Sequence, residues 1–172
     1  MSDLNIYCIT NKRLKFLEDF CYNLAWVGQN KIPNNYLGCN NKINIYYKEK
    51  YYSELTFQYW YWKNLLNLEK KEWIGFCQKR RFWIKKNSKI LDINKSNIKE
   101  NLLTESHENW KSYDSIICNP IDISGAKKIK IIKRGWKNLL KDPFILFNKD
   151  KENIALHFDM HHGYGNLDLA IE

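Results

Sequence analysis

The sequence has 172 residues, of which 44% are hydrophobic and 27% are charged, as is typical of a soluble globular protein rather than a disordered one. No run approaches the roughly 18 apolar residues of a transmembrane helix, and the N-terminus lacks the pattern of a signal peptide. The five cysteines form no Cys-x-x-Cys pair, which excludes a zinc ribbon and favours reduced thiols in the cytoplasm.

The net charge of +9 favours a polyanion or an anionic membrane surface as a partner. Only four of the 28 basic residues are arginines, however, and the lysines are scattered along the chain. We therefore regard a general lysine-rich surface as the simpler interpretation of the charge.

The first elements predict an α/β fold. Leu4 to Thr10 is a near-continuous apolar run, as in a strand buried on both faces. Apolar residues at helical spacing between Leu14 and Val27 predict a helix that ends at Gly28. Residues 29–42 are rich in asparagine and predict a loop, and Ile43 to Tyr47 is a weaker candidate for a second strand. A strand followed by a helix is a typical opening of an α/β fold.

The next element is a helix that begins after Ser53, which we predict as its N-cap. Leu55, Tyr59, Trp62 and Leu66 lie at i, i+4, i+7 and i+11. This spacing predicts one stripe directed toward the core. Phe57, Trp60 and Tyr61 broaden the stripe, which predicts a helix buried on more than one side.

A short buried strand from Trp73 to Cys77 follows, and Gly75 within it indicates close approach by another backbone or a ligand. We further predict a short helix near Ile98 to Leu103 and a strand from Tyr113 to Cys118. Without a repeat or a linker, residues 1–172 are predicted to form a single α/β domain with a mixed sheet flanked by helices.

The residues after the Trp73–Cys77 strand are the first candidates for a site. Ligands of open α/β sheets bind beyond the carboxyl ends of the strands, and here those positions include Gln78 and the pair Arg80-Arg81. Two guanidinium groups suit a phosphate or diphosphate because each can form bidentate hydrogen bonds to oxyanions. The alternative is that the arginines bridge the helix or a neighbouring carboxylate.

Metal-binding patterns are weak. The segment His157-Phe158-Asp159-Met160-His161-His162 holds metal-capable side chains, but no spacing brings a complete ligand set together. The chain has no strict Asp-x-Asp; the nearest patterns are Asp92-x-Asn94 and Asp150-x-Glu152. We assign no metal ligands and leave the cofactor unknown, with Mn²⁺ or Mg²⁺ as an open alternative.

Motifs in residues 53–83 carry a resemblance. They are Ser53-Glu54-Leu55-Thr56, Tyr59-Trp60-x-Trp62-Lys63-Asn64 and Ile74-Gly75-x-Cys77-x-x-Arg80-Arg81. The sequence resembles a bacterial family of proposed glycosyltransferases that occur in capsule, exopolysaccharide and lipopolysaccharide gene clusters and were long classed as a domain of unknown function. The resemblance implies a nucleotide-sugar-binding α/β fold of the GT-A type.

The chain also departs from this family. Gln78-Lys79 stands where the family usually has His-Tyr, and Cys39 stands where it usually has an aspartate. Gln78 cannot ionise, so it would act only through hydrogen bonds. The family generally extends further, and we therefore expect the domain to be incomplete at its C-terminus.

The resemblance implies a cytoplasmic glycosyltransferase of the hexosyltransferase type. It would move a sugar from a nucleotide-diphosphate donor to a surface-polysaccharide or lipid-linked glycan acceptor, with peripheral association at the inner membrane as a further expectation. Arg80 and Arg81 would neutralise the leaving diphosphate. The other expected substrate-binding residues are Thr10, Asn11, Lys12, Glu54, Tyr59, Lys63, Asn64 and His161. The expected catalytic residues are Asp168, His162 and Gln78, with a carboxylate as a candidate base. For Glu54 and Lys63, a helix cap and a solvated helix end are equally good interpretations.

Two alternatives remain open. One is a non-catalytic nucleic-acid-binding protein, which the pI of 9.2 and the abundant aromatic residues favour. Against it, the tryptophans have helix-core spacing and no RNA-binding motif is present. The other is a decayed or truncated transferase that binds its donor without turning it over.

Overall fold

A computed structural model of the chain describes residues 3–89, 92–119 and 140. The chain divides into two compact units, Met1–Ile116 and Ile117–Glu172, and the sheet with its surrounding helices belongs to the first unit. Because most of the second unit lies outside the described residues, the prediction of a single domain over residues 1–172 stays a prediction. None of the helices in the described ranges is long and apolar enough to cross a membrane.

The described elements alternate between strands and short helices. In chain order they are β1 (Leu4–Thr10), α1 (Lys15–Glu18), β2 (Asn23–Trp26), β3 (Leu37–Gly38), a 3-10 turn (Tyr46–Lys48), α2 (Glu49–Tyr52), α3 (Leu55–Asn64), β4 (Trp73–Gln78), α4 (Ile98–Asn101) and a second 3-10 turn (Glu108–Ser112).

The four strands form one sheet in the order β3-β2-β1-β4. All three strand pairings are parallel, with Cys8 of β1 opposite Leu24 of β2 and Cys77 of β4. The predicted α/β class is therefore confirmed, but the predicted mixed sheet is wrong within the described residues. Each connection returns the chain to the same edge of the sheet before the next strand begins, as parallel pairing requires.

The central strand β1 is buried on both sides, as its continuous apolar run predicts. Ile6 and Cys8 belong to one core cluster, together with Leu24 and Trp26 of β2. Ile9 belongs to a second cluster on the opposite face, which α3 covers. The sheet thus separates two apolar layers.

The predicted helix from Leu14 to Val27 is wrong. The helix α1 covers only Lys15–Glu18, and β2 begins at Asn23. The chain leaves the helix because Tyr22 is buried, with its hydroxyl 2.8 Å from the Trp83 carbonyl oxygen and 3.0 Å from the Leu103 carbonyl oxygen, which share its one proton. The next residues then pair with β1, so Gly28 follows a strand instead of ending a helix.

Other sequence predictions divide between confirmed and wrong. The strand from Trp73 is confirmed as β4, and the helix predicted near Ile98 is confirmed as α4. The strand predicted at Ile43 to Tyr47 is wrong, since its end forms a 3-10 turn, and residues 113–118 contain no strand. At Gly75 the close neighbour is a side chain: an added Cβ would lie 2.9 Å from Cγ1 of Ile6.

The helix α3 is present as predicted and buries Phe57, Trp60 and Tyr61 as predicted, but its start and the position of the Leu55–Trp62 stripe differ from the prediction. Ser53, with φ of 48°, ends α2, and no side chain caps α3. Leu55 and Trp62 of the predicted core stripe are 55% and 56% exposed. The buried residues of α3 are Thr56, Phe57, Trp60 and Tyr61. The helix carries aromatic residues on two sides, and the sheet selects the side that packs against Tyr7 and Phe76.

The five cysteines differ in burial, and we expect them to differ in reactivity. Cys8, Cys39 and Cys77 are buried, whereas Cys21 and Cys118 are exposed. Burial raises the pKa of the Cys39 thiol to about 12, which keeps it protonated at neutral pH. We expect iodoacetamide to label two thiols quickly in the native protein and five after unfolding, as counted by intact-mass spectrometry. Rapid labelling of a third thiol in the native protein would contradict the buried positions.

Candidate active site

Because the strands are parallel, their carboxyl ends all lie along one side of the sheet, which we call its carboxyl edge. The opposite side, where the strands begin, is its amino edge. From β1, the strands β2 and β3 follow one after the other on one side, and β4 lies on the other side of β1. The switch point of the strand order is therefore between β1 and β4. In open α/β sheets the crevice at such a point is where ligands bind.

The turn after β1 is held by Thr10. Its buried hydroxyl donates to the carbonyl oxygen of Lys12 at 2.7 Å and accepts from the Lys12 N–H at 3.0 Å. Its carbonyl oxygen accepts from the N–H of Val27 at 3.0 Å, which ties the turn to β2. Thr10 thus shapes the turn from inside, and the exposed Asn11 and Lys12 form its surface.

The turn after β4 presents the paired arginines. Gln78 and Arg81 exchange two backbone hydrogen bonds of 3.2 and 3.1 Å, so the chain reverses through Lys79 and Arg80. Both arginines are exposed. Neither side chain has a hydrogen bond or an ion pair to a residue in the described ranges, where the single ion pair joins Arg13 to Glu18. The alternative in which the arginines bridge a neighbouring carboxylate therefore finds no partner in this part of the chain.

One contact joins the two turns. The Lys79 ammonium donates to Oδ1 of Asn11 at 2.5 Å, across the switch point. It brings the end of β1, with Asn11 and Lys12, beside the end of β4, with Arg80 and Arg81. Sequence reasoning assigned no role to Lys79, because it is visible there only as a departure from the family pattern.

The end of β2 packs against the same turn. A Cβ on Gly28 would lie 2.8 Å from the carbonyl oxygen of Asn11 and 2.8 Å from Cζ2 of Trp26. The Tyr46 hydroxyl donates to the carbonyl oxygen of Gly28. Gly28 therefore permits the close approach that positions Asn11, a function that helical spacing in the sequence concealed.

The helix α3 runs from the carboxyl edge of the sheet to its amino edge. Leu66, just past its end, lines a cavity of about 310 Å³ together with Leu4 and Trp73, the first residues of β1 and β4. The end of α3 therefore lies at the amino edge of the sheet. Ten helical residues span about 15 Å, so Glu54 lies at the opposite end of the helix, on the side of the carboxyl edge.

The other motif residues of α3, which are Tyr59, Lys63 and Asn64, contact the helix itself or the loop before it. The Asn64 amide donates to the Ile43 carbonyl at 2.8 Å and accepts from the Ile43 N–H at 3.2 Å, which holds the preceding loop. The Lys63 ammonium lies 3.5 Å from the ring centroid of Trp62, and the ring of Tyr59 packs edge-on against that indole. The structure does not bring Lys63 and Asn64 together with the arginines of the switch point.

The remaining predicted catalytic residues lie outside the described residues. His161, His162 and Asp168 are not described, so the described catalytic candidate is Gln78, half-buried at the end of β4. Within the described ranges no three His, Cys, Asp or Glu side chains form a group that could hold a metal ion. The Asn94 side chain of the Asp92-x-Asn94 pattern accepts a hydrogen bond from the Ser96 N–H at 2.8 Å, as expected of a local turn.

Comparison with known proteins identifies the family of the chain. The profile of one family, described as a domain of unknown function (DUF4422), matches residues 5–167. The chain belongs to the DUF4422 family. The match includes both turns of the switch point and α3, so these features belong to the DUF4422 domain. No curated protein and no solved structure matches the chain.

Proposed function

We propose that this DUF4422 protein is a glycosyltransferase with a GT-A-type fold. It moves a sugar from a nucleoside-diphosphate donor to a surface-polysaccharide or lipid-linked glycan acceptor. The observation that carries the proposal is the hydrogen bond between Lys79 and Asn11, which joins the ends of β1 and β4 beside Arg80 and Arg81. The resemblance of the central motifs to proposed glycosyltransferases supports the same chemistry.

The charge of the crevice suits a diphosphate. Lys12, Lys79, Arg80 and Arg81 place four cations on two adjacent turns, and neither turn contains an acidic residue. Guanidinium groups without partners among the described residues are free to form bidentate hydrogen bonds to phosphate oxygens. In sugar transfer, negative charge develops on the leaving diphosphate, and fixed cations at that position lower the barrier.

A cavity beside the turn suits the nucleoside. It has a volume of about 460 Å³ and is lined by Arg13, Trp26, Asn30 and Tyr36, among others. Arg13 directly follows Lys12, so the cavity begins at the same turn and lies on the side away from β4. Its volume lies within the roughly 300–1,000 Å³ of small-molecule sites. We assign the base and ribose to this cavity and the diphosphate to the cations next to it.

The transfer step itself needs a base for the acceptor hydroxyl. Gln78 has a neutral amide and can only position a substrate group by hydrogen bonding. We therefore assign the base to Asp168 or His162. If neither acts, the same crevice would still bind donor without turnover, as in a decayed transferase.

The structure offers less support for nucleic-acid binding. Trp60 is buried and its indole donates to the Asn41 carbonyl at 2.9 Å, while the Trp83 indole donates to the Phe76 carbonyl at 2.9 Å. Of the four tryptophans in residues 53–83, Trp62 alone is more than half exposed. A stacking surface for successive bases needs several exposed rings.

Changing both arginines to alanine should abolish nucleotide binding. We expect uridine or guanosine diphosphate to raise the melting temperature of the wild-type protein and to leave that of Arg80→Ala/Arg81→Ala unchanged. Each lost charge-assisted hydrogen bond contributes about 1.5–3 kcal/mol, so the affinity should fall at least about tenfold per arginine. Differential scanning fluorimetry with each nucleotide, with and without manganese, provides the measurement.

The matched control is Lys70→Ala/Lys71→Ala. This pair of adjacent exposed cations precedes β4 at its amino end, whereas Arg80-Arg81 follows β4 at its carboxyl end. The control removes the same charge and should keep the nucleotide shift. Equal loss in both double variants, or no shift in the wild-type protein with any nucleotide, would contradict the proposal. Release of nucleoside diphosphate from the donor would then separate a transferase from a protein that only binds.

A further inference from the structure

The cavity at the amino edge of the sheet has a lining suited to a small molecule. It has a volume of about 310 Å³, lies beside Leu4 and Trp73, and belongs to the unit Met1–Ile116. Its wall is mainly aliphatic and aromatic, and its largest side chains are those of Trp73, Trp83 and Trp110. A largely apolar cavity of this volume with a few polar groups is typical of a small-molecule site.

Two carboxylates line this cavity. They belong to Glu72 and Asp114, and no lysine, arginine or histidine of the described residues lines it with them. Glu72 is half-buried, and its Oε2 accepts a hydrogen bond from the Asn5 side-chain amide at 2.7 Å. Neither carboxylate forms an ion pair with a residue in the described ranges. The cavity is therefore acidic, in a chain whose net charge is +9.

Two lysines line an adjoining cavity. Lys71 and Lys111 are exposed there, beside the same two carboxylates and two of the same tryptophans. Within the part of the chain that the structure describes, neither lysine forms an ion pair. The lysines weaken the attraction of the site for a cation, but they leave the carboxylates available to a ligand.

The rings of Trp73 and Trp110 form a corner. Their centroids are 5.3 Å apart and their planes are inclined at 71°. The faces of aromatic rings carry partial negative charge and attract cations, and indole does so most strongly. A compact tetrahedral ammonium group can contact two rings at such an angle, whereas the broad face of a sugar ring needs one open ring face. The corner therefore favours an ammonium group.

We propose that this cavity binds an organic ammonium ligand with an apolar body. The ammonium group lies at the corner of Trp73 and Trp110, close to the carboxylates, and the apolar body contacts the aliphatic wall around Leu4 and Leu103. Aromatic cages of this kind recognise quaternary ammonium groups. An inorganic cation fits less well, because no three His, Cys, Asp or Glu side chains among the described residues form a group that could hold a metal ion.

The ammonium site goes beyond sugar transfer and does not depend on it. β1 begins at Leu4 and ends at Thr10, which places the two edges of the sheet about 20 Å apart at roughly 3.3 Å per residue. A ligand in this cavity therefore does not contact a diphosphate beside Arg80 and Arg81. Failure of ammonium binding would leave nucleotide binding untouched, and the converse also holds.

Titration of the full chain with choline tests the proposal. We expect choline to bind and to change the tryptophan fluorescence, because three tryptophans line the cavity. The neutral alcohol in which a carbon atom replaces the choline nitrogen should bind at least about tenfold more weakly, because it lacks the charge that the rings and carboxylates attract. Hexyltrimethylammonium should bind more tightly than choline, because its chain adds apolar surface. Isothermal titration calorimetry gives the affinities.

Variants of the cavity wall should weaken choline binding. Glu72→Gln/Asp114→Asn removes both charges and keeps a side-chain oxygen at position 72 that can accept from Asn5. Trp110→Leu removes one ring of the corner. We expect each variant to lower the affinity at least about fivefold. Circular dichroism checks the fold, and if Trp110→Leu is unfolded the double variant decides, since it preserves the shape of the wall.

Three further variants serve as controls. Glu69→Gln and Trp62→Leu change an exposed acidic residue and an exposed tryptophan outside the cavity, and both should bind choline as the wild type does. Lys111→Gln should bind at least as tightly as the wild type, because it removes a charge that repels the ligand.

Four results would overturn the proposal. They are absence of binding with both ammonium compounds, equal binding of choline and its neutral analogue, an affinity that Glu72→Gln/Asp114→Asn leaves unchanged, and weaker choline binding by Lys111→Gln. Binding of glucose or maltose in place of choline would assign the cavity to a glycan and would overturn the proposal as well.

Discussion

Replacing Phe57 with alanine should lower the free energy of unfolding by about 3–5 kcal/mol. Phe57 is completely buried between α3 and the sheet. Its ring centroid lies 5.6 Å from those of Tyr7 and Trp60, and 6.4 Å from those of Tyr61 and Phe76. Truncation removes the centre of this aromatic cluster and leaves a cavity that the surrounding rings can fill only in part. Urea denaturation followed by circular dichroism provides the measurement.

The control for this prediction lies two residues earlier on the same helix. Leu55→Ala removes an apolar side chain that is 55% exposed and lies outside the core. We expect a change within about 0.5 kcal/mol, as is usual for surface substitutions. Periodicity in the sequence places Leu55 in the core, so equal destabilisation by the two variants would support that face of α3 and contradict the structure.

Gly28→Ala should weaken nucleotide binding at least about tenfold, because misplacing a positioned group by about 1 Å has large effects on a site. An added Cβ would lie 2.8 Å from the Asn11 carbonyl oxygen, which is backbone, and 2.8 Å from the Trp26 ring. Relief of this overlap must move the turn that carries Asn11 and Lys12. Overpacking also costs about 1–3 kcal/mol of stability, so binding should be measured well below the melting temperature by isothermal titration calorimetry.

Gly75→Ala is the matched control for this effect. Its added Cβ would also meet a neighbour, at 2.9 Å, but that neighbour is Cγ1 of the Ile6 side chain in the core. Relief of this overlap costs stability without moving the turns that follow β1 and β4. We expect nucleotide affinity close to that of the wild type, and a loss equal to that of Gly28→Ala would remove the specific role of the Asn11 turn.

The strands at the centre of the fold were predictable because they are locally continuous. β1 and β4 are short apolar runs bounded by polar residues, and burial on both faces of a parallel sheet produces that pattern. β2 was not predictable in the same way, because the apolar residues before it also fit helical spacing. The hydrogen bonds from Tyr22 to Trp83 and Leu103, residues far along the chain, are invisible to a local pattern.

The buried face of α3 illustrates a second limit. Periodicity identifies a helix, but this helix carries apolar residues on two sides. The sheet buries Phe57, Trp60 and Tyr61, and it leaves Leu55 and Trp62 exposed. Which side is buried depends on the aromatic rings that β1 and β4 present, and these become neighbours only in the folded chain.

The candidate site was predictable in its location and less so in its details. Asn11, Lys12, Arg80 and Arg81 follow two strands, and parallel strands bring such residues to one edge. The contact of Lys79 with Asn11 requires knowing that β4 pairs with β1, and no spacing between residues so distant in sequence reveals that pairing. The assignments of Glu54, Tyr59, Lys63 and Asn64 stay predictions, as do those of His161, His162 and Asp168.

Mapping of nucleotide binding by NMR tests the central claim most directly. The claim is that a donor diphosphate binds between the turns that follow β1 and β4. On addition of uridine or guanosine diphosphate, we predict that the backbone amide resonances of residues 11, 12 and 79–81 shift most. Resonances of Leu4 and Trp73, at the other ends of the same strands, should stay unchanged. Absence of shifts with both nucleotides, or the largest shifts at the amino edge of the sheet, would contradict the claim.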